Sequence, residues 1–262
     1  MSLPFFEYGL PRLEEIVQPG MLCAFDFDGT LAPIVMDPSR ACMPAAISRR
    51  LSVLTEHALV AIISGRSVED VAARLDFQLD FVVGNHGIEG VPGWKDQAEY
   101  YRQLCHAWEQ RLAPALKDRA LFDPGIWIEQ KTYTLSVHYR MARDRPKAIA
   151  KLLQLFATLV PAARIVGGKC VFNLVPSDAP DKGVALAGLC EASGAGSAIY
   201  VGDDVTDEDV FGLRREDWLT VRIEHSGDSS AEFHLDHRLD MVQLLDVLIM
   251  RLSRTGRSSG NH

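Results

Sequence analysis

The sequence predicts an α/β protein: a Rossmann-like, doubly wound parallel sheet into which a smaller α+β domain is inserted. Two observations carry this prediction. Before about residue 90 and again after residue 176, short apolar runs alternate with segments of helical periodicity, as expected of parallel strands joined by crossover helices. Between those regions one segment alternates strictly between apolar and polar residues, which favours a half-buried antiparallel strand.

The first strand is predicted from the uninterrupted apolar run Met21 to Phe25, which is typical of a strand buried on both faces. The preceding residues 1 to 20 are mixed in polarity and contain Pro4, Pro11 and Pro19. Since proline restricts regular structure, we expect these residues to form an irregular lead-in that packs on the first strand.

Two further strands follow, each preceded by a helix. Apolar spacing over Ala45 to His57 predicts a helix, and the apolar run Ala58 to Ile63 predicts the second strand. Ser67 resembles the first residue of a capping box that opens a helix ending near Leu75, and Phe81 to Val83 is a third apolar run. Three strands separated by helices imply a parallel sheet with right-handed crossovers.

The inserted segment combines strands and helices differently. Tyr133 to Tyr139 alternates and predicts a half-buried strand, with Ile126 to Gln130 as its hairpin partner. Cys170 to Val175 predicts another strand, and apolar periodicity predicts helices at Glu99 to Leu112 and Ala148 to Leu159. This mixture predicts a small α+β domain.

The α/β pattern returns after the insert. Asp181 suits the N-cap of a helix, and the polar, Gly- and Ser-rich tail at residues 255–262 is expected to be disordered. The predicted elements here are helices Lys182–Ala192, Glu208–Leu213 and Met241–Arg254, and strands Ala198–Val201 and Thr220–Ile223. We therefore expect a discontinuous core at residues 1–89 and 177–262, and an inserted domain at residues 90–176.

Composition limits the classes of protein to be considered. A net charge of −8 argues against nucleic acid as the main partner, because such binding depends on Lys and Arg neutralising phosphates. The cysteines are scattered without a Cys-x-x-Cys pair, and no apolar run approaches the roughly 18 residues that span a bilayer. We expect a cytoplasmic protein that acts on a small molecule and has no membrane partner; monomer and dimer both stay open.

Two pairs of carboxylates follow predicted strands. Asp26 and Asp28 come directly after the first strand, and Asp203 and Asp204 follow a later one. Because ligands of open α/β sheets bind at the carboxyl ends of the strands, we expect the four acids to lie there within a few ångströms of one another. Gathered carboxylates repel, and a hard divalent cation is the usual compensation. The pattern favours a metal site; the alternative is that Asp28-Gly29 is an ordinary turn.

The acids after Asp204 have a simpler explanation. Thr206 and Asp209 match the spacing of a capping box, and acids in a first helical turn are stabilised by the helix dipole. This interpretation leaves Asp203 and Asp204 without a role in helix capping.

Two polar side chains lie where helix formation does not explain them. Ser64 closes the second strand, but Ser67 is the better cap, so the Ser64 hydroxyl could bind a phosphate oxygen. Lys182 lies in the first turn of a predicted helix, where the dipole disfavours a cation by about 0.3 to 1 kcal/mol. An anion bound there would gain from both the ammonium and the helix N-terminus; an exposed lysine whose cost is tolerated is the alternative.

In their order and at these strand ends, the motifs resemble those of the haloacid-dehalogenase-like phosphohydrolases. The resemblance narrows to the trehalose-6-phosphate phosphatase family and covers the chain from about Leu22 to Ile249. The segments that carry it are Phe25–Ile34, Ile63–Arg66, Gly84–Gly87 and Gly202–Asp209.

The resemblance implies a mechanism. Asp26 would attack phosphorus and form an aspartyl-phosphate, while Asp28 would protonate the leaving sugar oxygen and later activate water. Mg²⁺ held by Asp26, Asp28 and Asp203 would offset the repulsion between the attacking carboxylate and the phosphate dianion.

Further roles follow from the same resemblance. Ser64 and Lys182 would bind the phosphoryl oxygens, and Thr30 would add a hydrogen bond. Asp204 and Asp207 would orient metal-bound water or Lys182.

In this family the inserted domain is a cap that closes over the sugar. By resemblance, Glu129 and Lys131 from the cap, with Arg66, Asn85 and His86 from the core, would contact the sugar hydroxyls. Simpler interpretations exist, since Glu129 and Lys131 lie in a predicted exposed hairpin and His86 suits a turn.

One position departs from the family pattern. Members often carry Glu in the cap strand that returns to the core, where this chain has Asn173. An amide can still donate to and accept from a hydroxyl, so the departure bears on which sugar is bound. The alternatives are a phosphatase of another glycosyl phosphate, a phosphosugar mutase on the same fold, and a catalytically inactive sugar-phosphate-binding protein. A signalling receiver module also gathers acids and a lysine, but is much shorter.

Overall fold

The chain folds into two compact units. The computed structural model describes residues 2–35, 37–168 and 170–258. One unit, the core unit, comprises Met1–Trp94 and Pro180–His262; the other, the inserted unit, comprises Lys95–Ala179. The insert thus begins at residue 95, where the sequence predicted residue 90, and ends at residue 179, where it predicted 176.

The core unit contains one seven-stranded parallel sheet, which confirms the predicted α/β class. Its strands are β1 Leu3–Pro4, β2 Leu22–Phe25, β3 Leu59–Ile63, β4 Phe81–Val83, β9 Ala198–Gly202, β10 Trp218–Ile223 and β11 Phe233–Leu235, arranged β1-β11-β10-β9-β2-β3-β4. Its helices are α1 Leu10–Ile16, α2 Ala45–Leu54, α3 Val68–Ala72, α6 Lys182–Ser193, α7 Glu208–Phe211 and α8 Met241–Ser258.

The register of the central strands explains where the polar residues emerge. Every residue of β2 and β9 is buried, because hydrophobic clusters cover both faces of the sheet. Phe25 lies opposite Val201 on β9 and opposite Ile62 on β3. The residues that follow these three positions therefore leave the sheet together at its carboxyl edge, which brings Asp26 beside the start of the Gly202-Asp203-Asp204 segment.

The N-terminal lead-in is more regular than the sequence predicted. Residues Phe5–Gly9 form a π-helical turn, α1 follows directly, and β1 pairs with β11. Pro11 is tolerated because it occupies the first turn of α1, where its missing N–H has no helical partner to lose. The lead-in contacts β10 and β11, and its Phe5, Leu13 and Ile16 share one hydrophobic cluster with residues of β2, the strand on which packing was expected.

The inserted unit is an antiparallel sheet covered by two helices. Its strands are β5 Trp127–Lys131, β6 Thr134–His138, β7 Ala163–Gly168 and β8 Val171–Pro176, in the order β5-β6-β8-β7, with helices α4 Lys95–Lys117 and α5 Arg145–Phe156. One face of the sheet forms a hydrophobic core with both helices through residues such as Trp108, Leu135, Val137 and Leu174.

Several helices and strands differ from the sequence prediction at their ends or in their existence. The α5 helix begins at Arg145 because Asp144 caps it, its side chain accepting from the Lys147 N–H. The α8 helix runs to Ser258 and so includes the first part of the tail for which disorder was expected; residues 259–262 lie outside the described residues. Strands β7 and β11 were not predicted, since β7 is an exposed edge strand ending in glycines and β11 has three residues.

Candidate active site

A buried ion pair lies at the carboxyl edge of the core sheet. Asp26 continues β2, its N–H donating to the Val201 carbonyl at 2.8 Å, and its residue exposure is 5%. Lys182 Nζ donates to Asp26 Oδ1 at 2.7 Å and is itself 2% exposed. Asp181 caps α6, so Lys182 lies in the first helical turn as predicted from the sequence. Its contacts with carboxylates account for a cation at this unfavourable end of the helix dipole.

Asp207 organises the loop after β9. Its Oδ1 accepts from Lys182 Nζ and from the Tyr200 hydroxyl, each at 2.7 Å. Its Oδ2 accepts from the backbone N–H groups of Asp203 and Asp204, each at 2.8 Å. This fully buried carboxylate therefore has four donors and fixes both the lysine and the turn that presents Asp203.

The capping box of this loop differs from the predicted one. Asp204 is the N-cap and Asp207 supplies the reciprocal bond, so the assignment to Thr206 and Asp209 was wrong. The box starts two residues earlier because a short 3-10 turn at Val205–Asp207 precedes α7.

Three carboxylates form an acidic cluster. Oxygen atoms of Asp26, Asp203 and Asp207 lie within 4.8 Å of one another, and Thr30 Oγ1 donates to Asp203 Oδ1 at 3.1 Å. Burial raises the pKa of Asp26 to about 7, with Lys182 opposing the rise and Asp207 and Asp203 adding to it. Burial, followed by the charge of Asp207, raises the pKa of Asp203 to about 6.

These shifts reflect a local excess of negative charge. Lys182 is the one cation that pairs with the acidic cluster among the described residues, and it faces three carboxylates. Since Asp207 already accepts four hydrogen bonds, Asp26 and Asp203 offer the oxygens that best suit a hard divalent cation. The donor set therefore fits the metal that the family resemblance implies.

Two glycines allow the acids to approach so closely. A Cβ at Gly202 would overlap the Asp207 carboxylate, and one at Gly29 would overlap that of Asp203. Gly29 also has a φ of 87°, which L side chains rarely adopt.

Asp28 lies apart from the acidic cluster. Its two carboxylate oxygens accept from Arg66 Nε at 2.6 Å and Arg66 Nη2 at 2.7 Å. Asp204 is likewise not a member of the cluster, and its Oδ1 accepts from the Val205 N–H. Of the four strand-end acids, the structure thus brings together Asp26 and Asp203, the first residue of each pair.

Ser64 lies at the carboxyl end of β3, where the sequence located it. It is 1% exposed, and its Oγ accepts from the Arg66 N–H at 3.2 Å. The cap of α3 is Ser67, whose Oγ accepts from the Asp70 N–H at 3.1 Å. The prediction that Ser67, rather than Ser64, caps this helix is confirmed.

Asn85 and His86 belong to a tight turn after β4. Both have positive φ values, 50° and 59°, and Gly87 follows at 117°. Asn85 Nδ2 donates to Glu89 Oε1 at 2.6 Å, and the His86 ring packs so closely on Gly65 that a Cβ there would overlap it.

A cavity of about 540 Å³ in the core unit joins several of these groups. Its lining residues are Asp28, Ile34, Val35, Gly65, Arg66, His86, Asp203 and Asp204. The cavity is large enough for a small polar ligand, and it reaches the acid pairs from both β2 and β9.

The predicted sugar contacts of the inserted unit lie on one face of its sheet. Glu129 lies opposite Ser136, which in turn lies opposite Asn173, and Lys131 is two residues from Glu129 on the same strand. Glu129 Oε2 contacts His138 Nε2 at 2.8 Å, and Asn173 Oδ1 accepts from Ser136 Oγ at 2.6 Å. This face carries these polar side chains together with Trp127, Val171 and Val175, whereas the opposite face packs on the helices.

Sequence reasoning missed three residues that contact predicted ones. Tyr200 donates to Asp207, while Ser136 and His138 hold Asn173 and Glu129. The alternation of β6 carried a signal for the last two, since Ser136 and His138 share a face in any strand spanning them. Tyr200 gave no such signal, because it sits within an apolar strand.

A parallel α/β core with an aspartate, a lysine and an acidic loop at its carboxyl edge, interrupted by an α+β insert, agrees with the resemblance to the haloacid-dehalogenase-like phosphohydrolases. Within that class, the family model described as trehalose-phosphatase matches residues 24–238. The chain belongs to the trehalose-phosphatase family and is a phosphoric monoester hydrolase.

Individual relatives agree with this assignment. The trehalose-phosphate phosphatase of Mycobacterium marinum is 32% identical over 267 residues, covering 97% of this chain and 68% of the relative. That of Mycobacterium leprae is 33% identical over 252 residues, covering 89% of this chain and 58% of the relative. Among solved structures, Aspergillus fumigatus trehalose-6-phosphate phosphatase superposes with a TM-score of 0.69 at 24% identity, covering 95% of this chain and all of that one, which supports the fold.

In the part of the chain that the structure describes, no helix is long and apolar enough to cross a membrane.

Proposed function

We propose that this protein hydrolyses trehalose 6-phosphate to trehalose and phosphate, in a Mg²⁺-dependent reaction through an aspartyl-phosphate on Asp26. The observation that carries the proposal is the Asp26–Lys182–Asp207 arrangement beside Asp203 at the sheet edge. The mycobacterial relatives are named for trehalose phosphate, and the Aspergillus fumigatus protein is named for the 6-phosphate.

In the first half of the reaction, a carboxylate oxygen of Asp26 forms a bond to phosphorus as the bond from phosphorus to the sugar oxygen breaks. Lys182 contacts Oδ1 in the described structure, which leaves Oδ2 as the atom to attack. Asp28 gives its proton to the departing sugar oxygen. In the second half, Asp28 takes a proton from water as that water attacks phosphorus, and Asp26 is restored as phosphate leaves.

The metal-ligand set fits the charges present. Asp26 and Asp203 would hold Mg²⁺, with Asp28 as the third predicted ligand, although its side chain pairs with Arg66 in this structure. When bound, the cation supplies charge compensation between the attacking carboxylate and the phosphate dianion.

The remaining core residues would act on the phosphoryl group or on its partners. Lys182 and Ser64 would bind its oxygens as charge moves toward the bridging atoms, and Thr30 would add a hydrogen bond. Asp207 would hold Lys182 in place, and Asp204 would keep the loop folded through its cap.

Sugar recognition is assigned to polar residues of both units. We infer that Glu129, Lys131 and Asn173 of the inserted unit contact the sugar hydroxyls, which would make that unit a cap, and that Asn85 and His86 contribute from the core. The first three residues share one sheet face with Ser136 and His138, which supports this role. The same chemistry would serve another glycosyl phosphate or a mutase, for which Asn173 is the distinguishing position.

The compartment is inferred from the thiols. All five cysteines are free, and burial raises the pKa of Cys23 and Cys105 to about 12, so they are unreactive. These features suit a reducing cytoplasm.

The test is phosphate release from a panel of sugar phosphates, with Mg²⁺ and with chelator, beside the Asp26→Asn variant. The proposal expects a preference for trehalose 6-phosphate, loss on chelation, recovery with Mg²⁺, and a fall of at least about 10³-fold in the variant. Metal-dependent activity on another sugar phosphate would retain the chemistry and overturn the substrate. Retained activity in Asp26→Asn would overturn the nucleophile.

A further inference from the structure

The Arg66 side chain is unusually well held for a residue predicted to bind sugar. Its Nε and Nη2 donate to the two oxygens of Asp28, and its Nη1 donates to Asp70 Oδ2 at 2.7 Å. The guanidinium carbon lies 5.7 Å from the centre of the buried Phe27 ring. All three guanidinium nitrogens therefore act on carboxylates, and an aromatic face limits the remaining movement.

The support continues behind Arg66. Arg74 Nη2 donates to Asp70 Oδ1 at 2.8 Å, so Asp70 pairs with two arginines, each four residues from it along the chain. The Arg66 N–H is bonded to Ser64 Oγ, and the Arg66 carbonyl accepts from the Asn85 N–H at 2.7 Å. Both the backbone and the side chain of Arg66 are thus fixed before any substrate binds.

Asp28, in contrast, has little else to orient it. It follows the end of β2 in a turn with Gly29, and its side chain is 39% exposed, against 7% for Asp26. A carboxylate at such a place can rotate among several orientations, of which only some present an oxygen to the leaving group. A misplacement of about 1 Å at a reacting group can cost about 10²-fold in rate.

We propose that Arg66 is a positioning residue that acts through Asp28: its bidentate fork sets the orientation of the carboxylate that exchanges a proton with the sugar oxygen and with water. This inference rests on the proposed roles of Asp26 and Asp28. It replaces the sugar contact that resemblance implied for Arg66, and it assigns Asp70 and Arg74 to the support of the fork.

The first test separates positioning from sugar binding by steady-state kinetics on trehalose 6-phosphate. In Arg66→Met we expect kcat to fall by about 10²-fold with KM within about threefold of wild type, because the missing interaction orients a reacting group. Arg66→Lys should recover little, since one ammonium cannot reproduce a planar fork. A raised KM with unchanged kcat would overturn the proposal in favour of a sugar contact.

The second test is a double-mutant cycle with Asp28→Ala, measured as single-turnover rates on the same substrate. If Arg66 acts through Asp28, adding Arg66→Met to Asp28→Ala should cost less than about threefold. If it acts independently, the two losses will multiply, and the proposal fails. An inactive wild-type protein would instead defeat the proposed function, so the two failures are distinguishable.

A substrate whose leaving group departs without a proton does not need Asp28 as an acid. Its rate therefore distinguishes loss of Asp28 positioning from general damage to the site, which would slow both substrates. The first-turnover release of 4-nitrophenolate from 4-nitrophenyl phosphate should change less than about threefold in Arg66→Met. An equal loss on both substrates would overturn the proposal. Arg50→Met is the matched control, because Arg50 makes the same bidentate pair with Asp246 at 2.8 and 3.0 Å on another surface, and its kinetics should match wild type.

A milder variant covers the case in which Arg66→Met does not fold. Asp70→Asn leaves Arg66 on Asp28 but weakens its rear support, and Asp70 is 41% exposed, so folding should survive. We expect a smaller fall in kcat, about threefold to tenfold, with KM unchanged. An unchanged kcat in Asp70→Asn would overturn the assignment of that residue to the fork.

Discussion

The two sheets of this protein hold polar residues in opposite ways. In the core unit, β2 and β9 are wholly buried, and the charged groups appear only where the strands end. In the inserted unit, one sheet face carries polar side chains within the strands themselves, and those of Glu129 and Lys131 are 41% and 49% exposed. The core therefore concentrates charge at a few desolvated points, whereas the insert spreads weaker contacts over a face.

This difference agrees with the separate tasks proposed above for the two sheets. Desolvated charges interact strongly and need no reorganisation when charge moves, which suits bond making at phosphorus. Exposed hydrogen-bonding groups contribute modestly to binding and adapt to a ligand, which suits recognition of a sugar. If this division holds, variants of the core should impair every phosphate ester, and variants of the insert should impair the sugar phosphate alone.

The largest effect is expected for Lys182→Met. Turnover of trehalose 6-phosphate and of an aryl phosphate should both fall by about 10² to 10³-fold, because a preorganised donor to the phosphoryl oxygens is lost. In chelator the free energy of unfolding should also fall by about 3 kcal/mol or more, since Asp26 and Asp207 lose their shared cation. Denaturant unfolding measures the second effect, with Arg50→Met as the control. A loss of turnover confined to the sugar phosphate would contradict the assignment of bond making to the core sheet.

The next effect is a pH dependence of stability in metal-free protein. The pKa values of Asp26 and Asp203, about 7 and about 6, lie above the ordinary 3.8, so the folded state binds more protons than the unfolded chain over that window. Their contribution is complete below about pH 4 and is lost as pH rises through about 6 to 7. Relative to Asp26→Asn, the wild-type free energy of unfolding should therefore decline across this range. A difference independent of pH would contradict it.

A smaller and more selective effect is expected for Glu129→Gln. KM for trehalose 6-phosphate should rise by about tenfold, because hydrogen bonds to a charged acceptor are worth about 1.5 to 3 kcal/mol and the amide retains part of that interaction. Turnover of an aryl phosphate should be unchanged. An equal effect on both substrates would show that the inserted unit contributes to the chemistry, and the comparison of the two sheets would have to be revised.

The smallest effect is expected for Ser136→Ala. The buried Ser136 hydroxyl donates to Asn173, so its removal should cost about 1 kcal/mol of stability. KM for the sugar phosphate should rise less than about threefold, since Asn173 loses one partner but stays on its strand. Ser253→Ala, which removes an exposed bond within α8, is the control for thermal unfolding. A change in kcat on aryl phosphate would be unexpected.

Much of the core could be predicted from sequence because its strands are buried on both faces. The observed β4 has the predicted bounds, and β2 and β3 begin one residue late. Parallel strands ending in acids also located Asp26 and Asp203 at one edge. These predictions depend on apolar runs and strand ends, which are local features of the chain.

The hydrogen-bond partners of the charged side chains could not be predicted from such local features. The sequence associated Asp28 with Asp26, but in the structure Asp28 accepts from the Arg66 guanidinium, 38 positions away along the chain. The capping box was likewise misassigned, because Asp204 and Asp207 compete with Thr206 and Asp209 at equal spacing. Local spacing alone cannot decide between such alternatives. Edge elements such as β7 and the pairing of β1 with β11 depend on tertiary contacts for the same reason.

The two glycines beneath the acidic cluster restrict how this chain can change. Even the single methyl group of alanine at position 29 or 202 would displace a carboxylate, so neither position can drift while the acids stay in place. A search for proteins of this kind could therefore use Gly29 and Gly202 as markers of shape, independent of the acids as markers of chemistry. A chain that keeps the aspartates but replaces either glycine would match the sequence motif without its geometry. Activity should not be inferred for such a chain from the aspartates alone.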